Sequence, residues 1–168
     1  MRIVAGRHRG RKIVAPDSME IRPTSDRVRE SVFNILEHGD LGKGSVSPLT
    51  GARVLDAFCG TGAFGLEALS RGAEHSTFLD IRNTSLDLCR ETIIALNEQT
   101  RTDLLRTDCL KSVCHAEPYD LVFIDPPYSA NIAQPAIVNL MRSGWISDEG
   151  ICVIETGPDE ALNIADAF

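Results

Sequence analysis

The sequence predicts a doubly wound α/β fold with a mainly parallel sheet. Strand signals and helix signals alternate along most of the chain, as they do when helices cover both faces of a parallel sheet. The strand segments are short apolar runs, and a glycine-rich turn joins the first run of the main body to a helix. A length of 168 residues with 43% hydrophobic residues is typical of one globular domain.

The amino-terminal part is expected to be a basic arm followed by a helix. A turn at Gly10 between the stretches RIVAG and KIVAP predicts a hairpin or extended arm over residues 2–23. Capping candidates at 24–26 precede apolar residues at helical spacing, which predicts a helix over 26–37. The predicted organisation is the arm and a cofactor-covering helix at 1–38, a linker rich in Gly, Ser and Pro at 39–51, and a core at 52–168, with the arm and helix part of the same domain as the core.

The core elements follow from local patterns taken in order. Apolar runs rich in Val, Ile and Leu predict strands, and segments with apolar residues at helical spacing, one of them closed by Gly72, predict helices. The elements are predicted as strand 53–57, helix 63–70, strand 76–81, helix 84–96, strand 103–107, strand 119–125, helix 134–142 and strand 151–155. Ligands of such sheets bind beyond the carboxyl ends of the strands, so function is expected there.

Charge is distributed unevenly along the chain. The net charge is −7, yet residues 1–30 carry eight Arg and Lys side chains against four Asp and Glu. A basic arm on an acidic body favours contact with a polyanion such as RNA, with an ordinary solvated surface as the alternative. The candidate RNA-binding residues are Arg7, Arg9, Arg11 and Lys12.

Cysteine usage and hydropathy exclude several classes of protein. The five cysteines are scattered without a C-x-x-C pair, which favours small buried residues in a reducing compartment over a metal site or disulfides. The apolar runs are shorter than a membrane helix needs, and the basic start lacks the apolar stretch of a signal peptide. We therefore expect a cytoplasmic protein without a metal.

A glycine-rich turn and two later acids predict a nucleotide-like cofactor site. The stretch DAFCGTGAFG, residues 56–65, contains G-x-G-x-x-G and opens a helix. Asp80 ends the second strand, where it can accept hydrogen bonds from ribose hydroxyls, and Asp108 ends the third, near an adenine amine. A nicotinamide dehydrogenase shares the first two features, but three carboxylates, with Asp56 opening the turn, suit a cofactor without phosphate. A helix cap or solvated turn is the alternative for each acid.

The fourth strand of the core ends in the most specific motif, Asp125-Pro126-Pro127-Tyr128. The prolines fix two φ angles and remove two N–H donors, so the turn presents carbonyl acceptors beside a carboxylate. Acceptance of both hydrogens of an exocyclic amine by Asp125 and the Pro126 carbonyl frees the nitrogen lone pair for attack. Tyr128 can stack on a base turned out of its helix. A strand-terminating turn with a core tyrosine is the alternative.

Taken together, these motifs resemble a known family. The chain is similar to the S-adenosylmethionine-dependent methyltransferases of class I with a D-P-P-Y motif, and among them to the bacterial 16S ribosomal RNA guanine-N2 methyltransferases. The likeness extends over RIVAGRHRGRKI, RPTSDRVRESVFNIL, VLDAFCGTGAFGLEALSRGA, FIDPPY and GWISDEGICVIE. It implies a Rossmann-like sheet. The family continues past the position of Phe168 into an antiparallel strand pair, so that last pair is expected to be missing.

The resemblance also implies residue roles. The turn from Asp56 to Gly62 would hold the methionine part of S-adenosylmethionine, Asp80 its ribose and Asp108 its adenine. The segment RPTSDRVRE would close over the cofactor. The implied catalytic residues are Asp125, Pro126, Pro127 and Tyr128, and the implied cofactor-binding residues are Arg22, Thr24, Arg29, Asp56, Phe58, Gly60, Gly62, Asp80, Ile81, Asp108 and Cys109.

The expected reaction is methyl transfer from S-adenosylmethionine to guanine N2 in small-subunit ribosomal RNA, either naked or in an assembled particle. Three alternatives stay open from the residues alone. The same amine cradle suits a DNA adenine or cytosine, and it suits a protein glutamine amide. A non-catalytic RNA-binding module that keeps the cofactor pocket is the third.

Overall fold

The fold is described from a computed structural model. It describes residues 1–16, 26–39, 41, 47–113, 117–127, 132–157 and 162–163. The helices are α1 (Asp26–His38), α2 (Ala63–Ser70), α3 (Asn83–Leu96) and α4 (Ala133–Arg142), with a short 3₁₀ turn at Gln99–Arg101. The strands are β1 (Arg53–Ala57), β2 (His75–Asp80), β3 (Thr102–Arg106), β4 (Tyr119–Ile124) and β5 (Ile146–Ile154).

The five strands form one sheet in the order β3-β2-β1-β4-β5, and every neighbouring pair is parallel. The chain winds outward from β1 in both directions, which confirms the predicted doubly wound class. In the register, Asp56 of β1 lies opposite Phe78 of β2 and Phe123 of β4. Asp80 and Asp125 follow those two partners by two residues, so all three acids lie at one edge of the sheet.

Helices cover both faces of the sheet, as the continuous burial of β1 from Val54 to Ala57 requires. Val54 packs in a cluster with residues of α1 and α2, whereas Leu55 and Ala57 pack with residues of α4. On the α1 side, Phe64 stacks on Phe123 with ring centroids 4.8 Å apart. Burial of each such side chain contributes roughly 1.5–3 kcal/mol.

The amino-terminal arm is a hairpin that packs on the core. Ile3 and Ile13 are 1% and 4% exposed and belong to the cluster formed by α2 and α3. Arg2 pairs with Lys12 in an antiparallel bridge, and the Gly10 N–H donates to the Ile3 carbonyl at 2.8 Å. The predicted reversal at Gly10 is therefore confirmed, whereas residues 17–23 of the predicted arm lie outside the described residues.

The predicted start of β5 differs from the structure by five residues. β5 begins at Ile146 rather than at residue 151, because Ile146 pairs with Tyr119 before a register shift leads to the pair of Leu121 and Ile151. The polar sequence after Ile146 is typical of a turn and conceals this bulged strand. Near the carboxyl end of the predicted linker, Leu49 is fully buried in the core cluster around α1. Other linker positions, 40 and 42–46, lie outside the described residues.

The described part of the chain contains no strand after β5, which lies at the edge of the sheet. The expectation that the family's last strand pair is missing concerns residues beyond this strand and stays an expectation. In that same described part, no helix combines the length and apolar character needed to span a bilayer.

Candidate active site

Asp56 holds the turn that joins β1 to α2. Its side chain is 2% exposed, and one carboxylate oxygen accepts the N–H of Gly65 at 2.9 Å. Gly65 lies in the first turn of α2, where backbone N–H groups have no partner within the helix. The acid therefore fastens the helix start to the end of the strand, and the residues between them form a largely buried bend at the carboxyl end of β1.

Three residues of that bend have left-handed backbone conformations. Phe58, Gly60 and Gly62 have φ values of 61°, 53° and 76°. Glycine adopts this region without strain, whereas Phe58 does so at a cost that is characteristic of functional turns. A side chain at Gly62 would also meet Cys89, whose sulfur would lie 2.4 Å from the added Cβ. The glycines thus permit a tight backbone turn over residues 58–62, here called the cradle, that side chains at these positions would block.

Asp80 connects the end of β2 to this cradle. One of its oxygens accepts the N–H of Gly60 at 3.1 Å, and the other accepts the N–H of Arg82 at 2.8 Å. The next residue, Ile81, is 61% exposed, which is unusual for a large aliphatic side chain beside a buried acid. The pair offers a carboxylate and an apolar surface side by side, a combination suited to a ribose and a base.

Asp108 and Cys109 follow β3 and border the same bend. Asp108 caps its own turn by accepting the Leu110 N–H at 2.9 Å. Cys109 is buried, and the Phe58 N–H hydrogen-bonds to its sulfur. Burial raises the pKa of the Cys109 thiol to about 12, so the group is a neutral packing residue. Of this pair, Asp108 is the one whose carboxylate is partly open to solvent.

The Asp-Pro-Pro turn follows β4 on the other side of β1. Asp125 is half-buried, Pro126 is buried and Pro127 is exposed. The Glu155 N–H donates to the Ile124 carbonyl at 2.9 Å and fastens the end of β4 to β5. Tyr128 lies outside the described residues, so its stacking role stays a prediction.

The carboxyl groups at these strand ends interact electrostatically with one another. Burial raises the pKa of Asp56 well above its ordinary value, against the lowering effect of the Gly65 hydrogen bond. The charges of Asp125 and Asp80 raise it further. The three carboxylates therefore lie close enough to interact, and the negative potential of the site favours a cation over a phosphate.

Of the predicted cofactor-covering residues, Arg29 alone is described. It is fully buried in α1, and it donates to the Arg2 carbonyl at 2.5 Å and to Asp26 at 2.9 Å. Its Nε lies 3.5 Å from Glu67. These contacts join α1 to the arm, and the predicted role of Arg29 in cofactor binding stays a prediction. Arg22 and Thr24 lie outside the described residues.

The four predicted RNA-binding side chains divide into two pairs. Arg7 forms an ion pair with the buried Glu98 at 2.6 Å, and Arg11 donates to the Ala95 carbonyl at 2.5 Å. The side chains of Arg9 and Lys12 are exposed and make no hydrogen bond or ion pair with other described residues. Arg7 and Arg11 therefore also hold the arm against α3 and the residue that follows it closely, Glu98. Contact of all four with RNA stays a prediction.

Sequence reasoning missed Glu67, which organises the region behind the cradle. It is fully buried in α2 and accepts the N–H groups of Val4 at 2.8 Å and Ala5 at 2.9 Å. Arg71 donates to it at 2.8 Å. The signal in the sequence is a single acid within the otherwise apolar helix AFGLEALS. A buried charge requires such partners, and the arm supplies two of them.

Comparisons with known proteins identify relatives that match nearly the whole chain. The family described as "Conserved hypothetical protein 95" matches residues 1–166. Ribosomal RNA small subunit methyltransferase D of Escherichia coli strain K12 is 34% identical over 164 residues, which cover 96% of this chain and 77% of that protein. The protein of the same name from Haemophilus influenzae is 34% identical over 166 residues, covering 96% of this chain and 81% of that protein.

Solved structures agree with the fold. The structure of yhhF from Escherichia coli superposes with a TM-score of 0.80 at 31% identity, covering 97% of this chain and 84% of that chain. The structure of HI0767 from Haemophilus influenzae superposes with a TM-score of 0.75 at 29% identity, covering 98% and 86%. The family match covers nearly the whole chain, and the relatives above 30% identity are ribosomal RNA small subunit methyltransferases. As the resemblance of its motifs to bacterial ribosomal RNA methyltransferases predicted, the chain belongs with them to the family described as Conserved hypothetical protein 95.

Proposed function

We propose that this protein transfers the methyl group of S-adenosylmethionine to the exocyclic N2 amine of a guanine in small-subunit ribosomal RNA. The observation that carries the proposal is the meeting of the Asp125-Pro126-Pro127 turn with the Asp56 cradle at one sheet edge. The relatives named ribosomal RNA small subunit methyltransferase D support the substrate class.

The donor set suits this cofactor. S-adenosylmethionine carries a sulfonium and an ammonium, and the neighbouring carboxyl groups of Asp56 and Asp80 favour positive charge. Asp80 and Ile81 would hold the ribose and the adenine face, and Asp108 would accept the adenine amine. The backbone of the bend from Phe58 to Gly62 would lie against the methionine part. When bound, the cofactor supplies a methyl group that is already strongly electrophilic.

The residues of the Asp-Pro-Pro turn prepare the nucleophile. Asp125 and the Pro126 carbonyl would accept the two N–H bonds of the guanine amine, which leaves the nitrogen lone pair directed away from the turn. Tyr128 would stack on the flipped base. Fixed orientation of two reactants can supply roughly 7–11 kcal/mol of the barrier reduction, so positioning accounts for most of the rate. After transfer, Asp125 or water takes the proton lost by the methylated nitrogen.

A labelled-cofactor assay tests the substrate. The protein is incubated with S-adenosylmethionine labelled in the methyl group and, separately, with unmethylated small ribosomal subunits, naked ribosomal RNA, DNA and bulk protein. We expect label in ribosomal RNA, recovered as N2-methylguanosine after nuclease digestion. Label in DNA or protein alone would overturn the substrate, and bound cofactor without transfer to any substrate would favour a non-catalytic RNA-binding module.

A matched pair of variants on β4 tests the catalytic role. Asp125→Ala is expected to abolish turnover while leaving the Kd for S-adenosylmethionine nearly unchanged. Asp120→Ala removes a carboxylate from the opposite end of the same strand, where it accepts the Arg53 N–H, and is expected to keep turnover. Equal loss of turnover and cofactor affinity in Asp125→Ala would contradict the assigned role.

A further inference from the structure

Two cysteine side chains meet beneath the cradle. Cys59 lies within the bend after β1, and Cys89 lies in the middle of α3. Both belong to one buried cluster, with 7% and 0% of their surfaces exposed, and their side chains are hydrogen-bonded to each other. Two thiols that are distant in the chain are therefore direct neighbours in the fold.

The cradle depends on where these sulfur atoms lie. The Cys89 sulfur already fills the space beside Gly62, where an added Cβ would lie 2.4 Å from it. The Cys59 N–H donates to the Leu79 carbonyl at 2.8 Å, and the Cys59 carbonyl accepts the Gly62 N–H at 2.7 Å. A displacement of Cys59 would therefore disturb both the anchor to β2 and the tight turn at Gly62.

We propose that Cys59 and Cys89 form a reversible disulfide that distorts the cradle and weakens cofactor binding. The inference that binding is weakened rests on the proposed function, whereas the disulfide itself does not. A disulfide brings the two sulfur atoms to about 2.0 Å, closer than a hydrogen bond between thiols. Cys59 must then move toward α3, and the left-handed residues on either side of it, Phe58 and Gly60, must move with it.

The chemistry balances with a low-molecular-weight disulfide as the oxidant. One cysteine attacks the oxidant's S–S bond and releases its first thiol, and the second cysteine then displaces the other half. One S–S bond forms and one breaks, and the two electrons and two protons leave on the two released thiols. The hydrogen bond from Cys89, together with burial, raises the pKa of Cys59. The closed cradle therefore reacts slowly, and bound cofactor is expected to slow the reaction further.

Oxidation of the folded protein tests the proposal. The full chain, with Cys114 and Cys152 replaced by Ser so that the buried Cys109 is the one further thiol, is treated with oxidised glutathione, alkylated and digested. We expect a peptide pair linked through Cys59 and Cys89 that disappears on treatment with dithiothreitol. Cys89→Ser in the same background is the matched control and is expected to give no linked pair. Isothermal titration should show S-adenosylmethionine binding at least about tenfold weaker in the oxidised protein, with recovery on reduction.

Two outcomes would overturn the inference. If prolonged oxidation of the folded chain gives no linked pair, the disulfide is excluded. This outcome is read from the chain that keeps both Cys59 and Cys89, so it does not depend on whether Cys89→Ser folds. A linked pair with unchanged cofactor affinity would exclude its effect on the cradle. If the reduced protein does not bind S-adenosylmethionine at all, that result counts against the proposed function. It leaves the disulfide untouched, because the linked peptide is detected by mass without cofactor.

Discussion

Replacement of Arg9 and Lys12 by Ala is expected to weaken RNA binding without weakening the fold, because both side chains are exposed and neither makes a hydrogen bond or ion pair with another described residue. The matched double variant replaces Arg7 and Arg11, which hold the arm against Glu98 and the Ala95 carbonyl. The two variants remove the same charge from the same hairpin. They differ in whether the lost side chain makes contacts within the protein.

The expected magnitudes follow from counterion release and from burial. Loss of two phosphate contacts should reduce the slope of log K against log salt by about 1.4–1.8. The affinity advantage of the parent chain over Arg9→Ala/Lys12→Ala should then shrink by about seven- to twelvefold between roughly 50 and 200 mM salt. Exposed substitutions change stability by less than about 0.5 kcal/mol, which keeps Tm within about 2 °C. Arg7→Ala/Arg11→Ala should cost about 1–2 kcal/mol and lower Tm by about 2–8 °C, because Glu98 is buried and loses one of its partners.

The assays are filter binding of ribosomal RNA over a salt series and thermal unfolding followed by circular dichroism. Equal loss of RNA affinity in both double variants, with Tm unchanged in both, would refute the division into anchoring and RNA-binding residues. Normal RNA binding by Arg9→Ala/Lys12→Ala would remove the arm from the RNA interface. The charge asymmetry of the chain would then be an ordinary surface feature.

Three further predictions concern the cradle. Burial raises the pKa of Asp56, so between its unfolded-state and folded-state pKa the folded protein retains a proton that the unfolded chain has lost. This group therefore makes stability fall as pH rises toward its folded pKa. Asp56→Asn should flatten that fall, measured as Tm from about pH 4 to about pH 8, while weakening cofactor binding. Gly62→Ala should lower Tm by several degrees and weaken cofactor binding, because φ is 76° and the new methyl group meets Cys89; an unchanged Tm would show that the bend tolerates a side chain. Asp80→Asn should raise the Kd for S-adenosylmethionine more than the KM for RNA in steady-state assays, because its carboxylate holds the Gly60 N–H; a change in the RNA constant alone would contradict its ribose role.

Local patterns were sufficient for the elements and for much of the candidate site. Apolar periodicity, caps and glycines act between residues only a few positions apart, so the segments around β1, α2 and α3 are close to their predicted bounds. A parallel sheet also brings the carboxyl ends of its strands to one edge. The chain pattern therefore predicted that Asp56, Asp80 and Asp125 would share a site, and their mutual effect on the pKa of Asp56 agrees.

Contacts between distant segments were decided by tertiary structure alone. Glu67 accepts a hydrogen bond from Val4, 63 positions away, and the ion pair of Arg7 with Glu98 spans a still larger separation. A basic residue in a hairpin looks the same in the sequence whether it faces RNA or a buried acid, because the difference depends on which helix lies beneath it. The meeting of Cys59 with Cys89 is of the same kind, since it requires α3 to pack against the bend after β1. The sequence by itself determined which chemical groups lie at the strand ends. The packing of α2, α3 and the arm decided which charged and thiol side chains elsewhere in the chain are held by contacts within the protein.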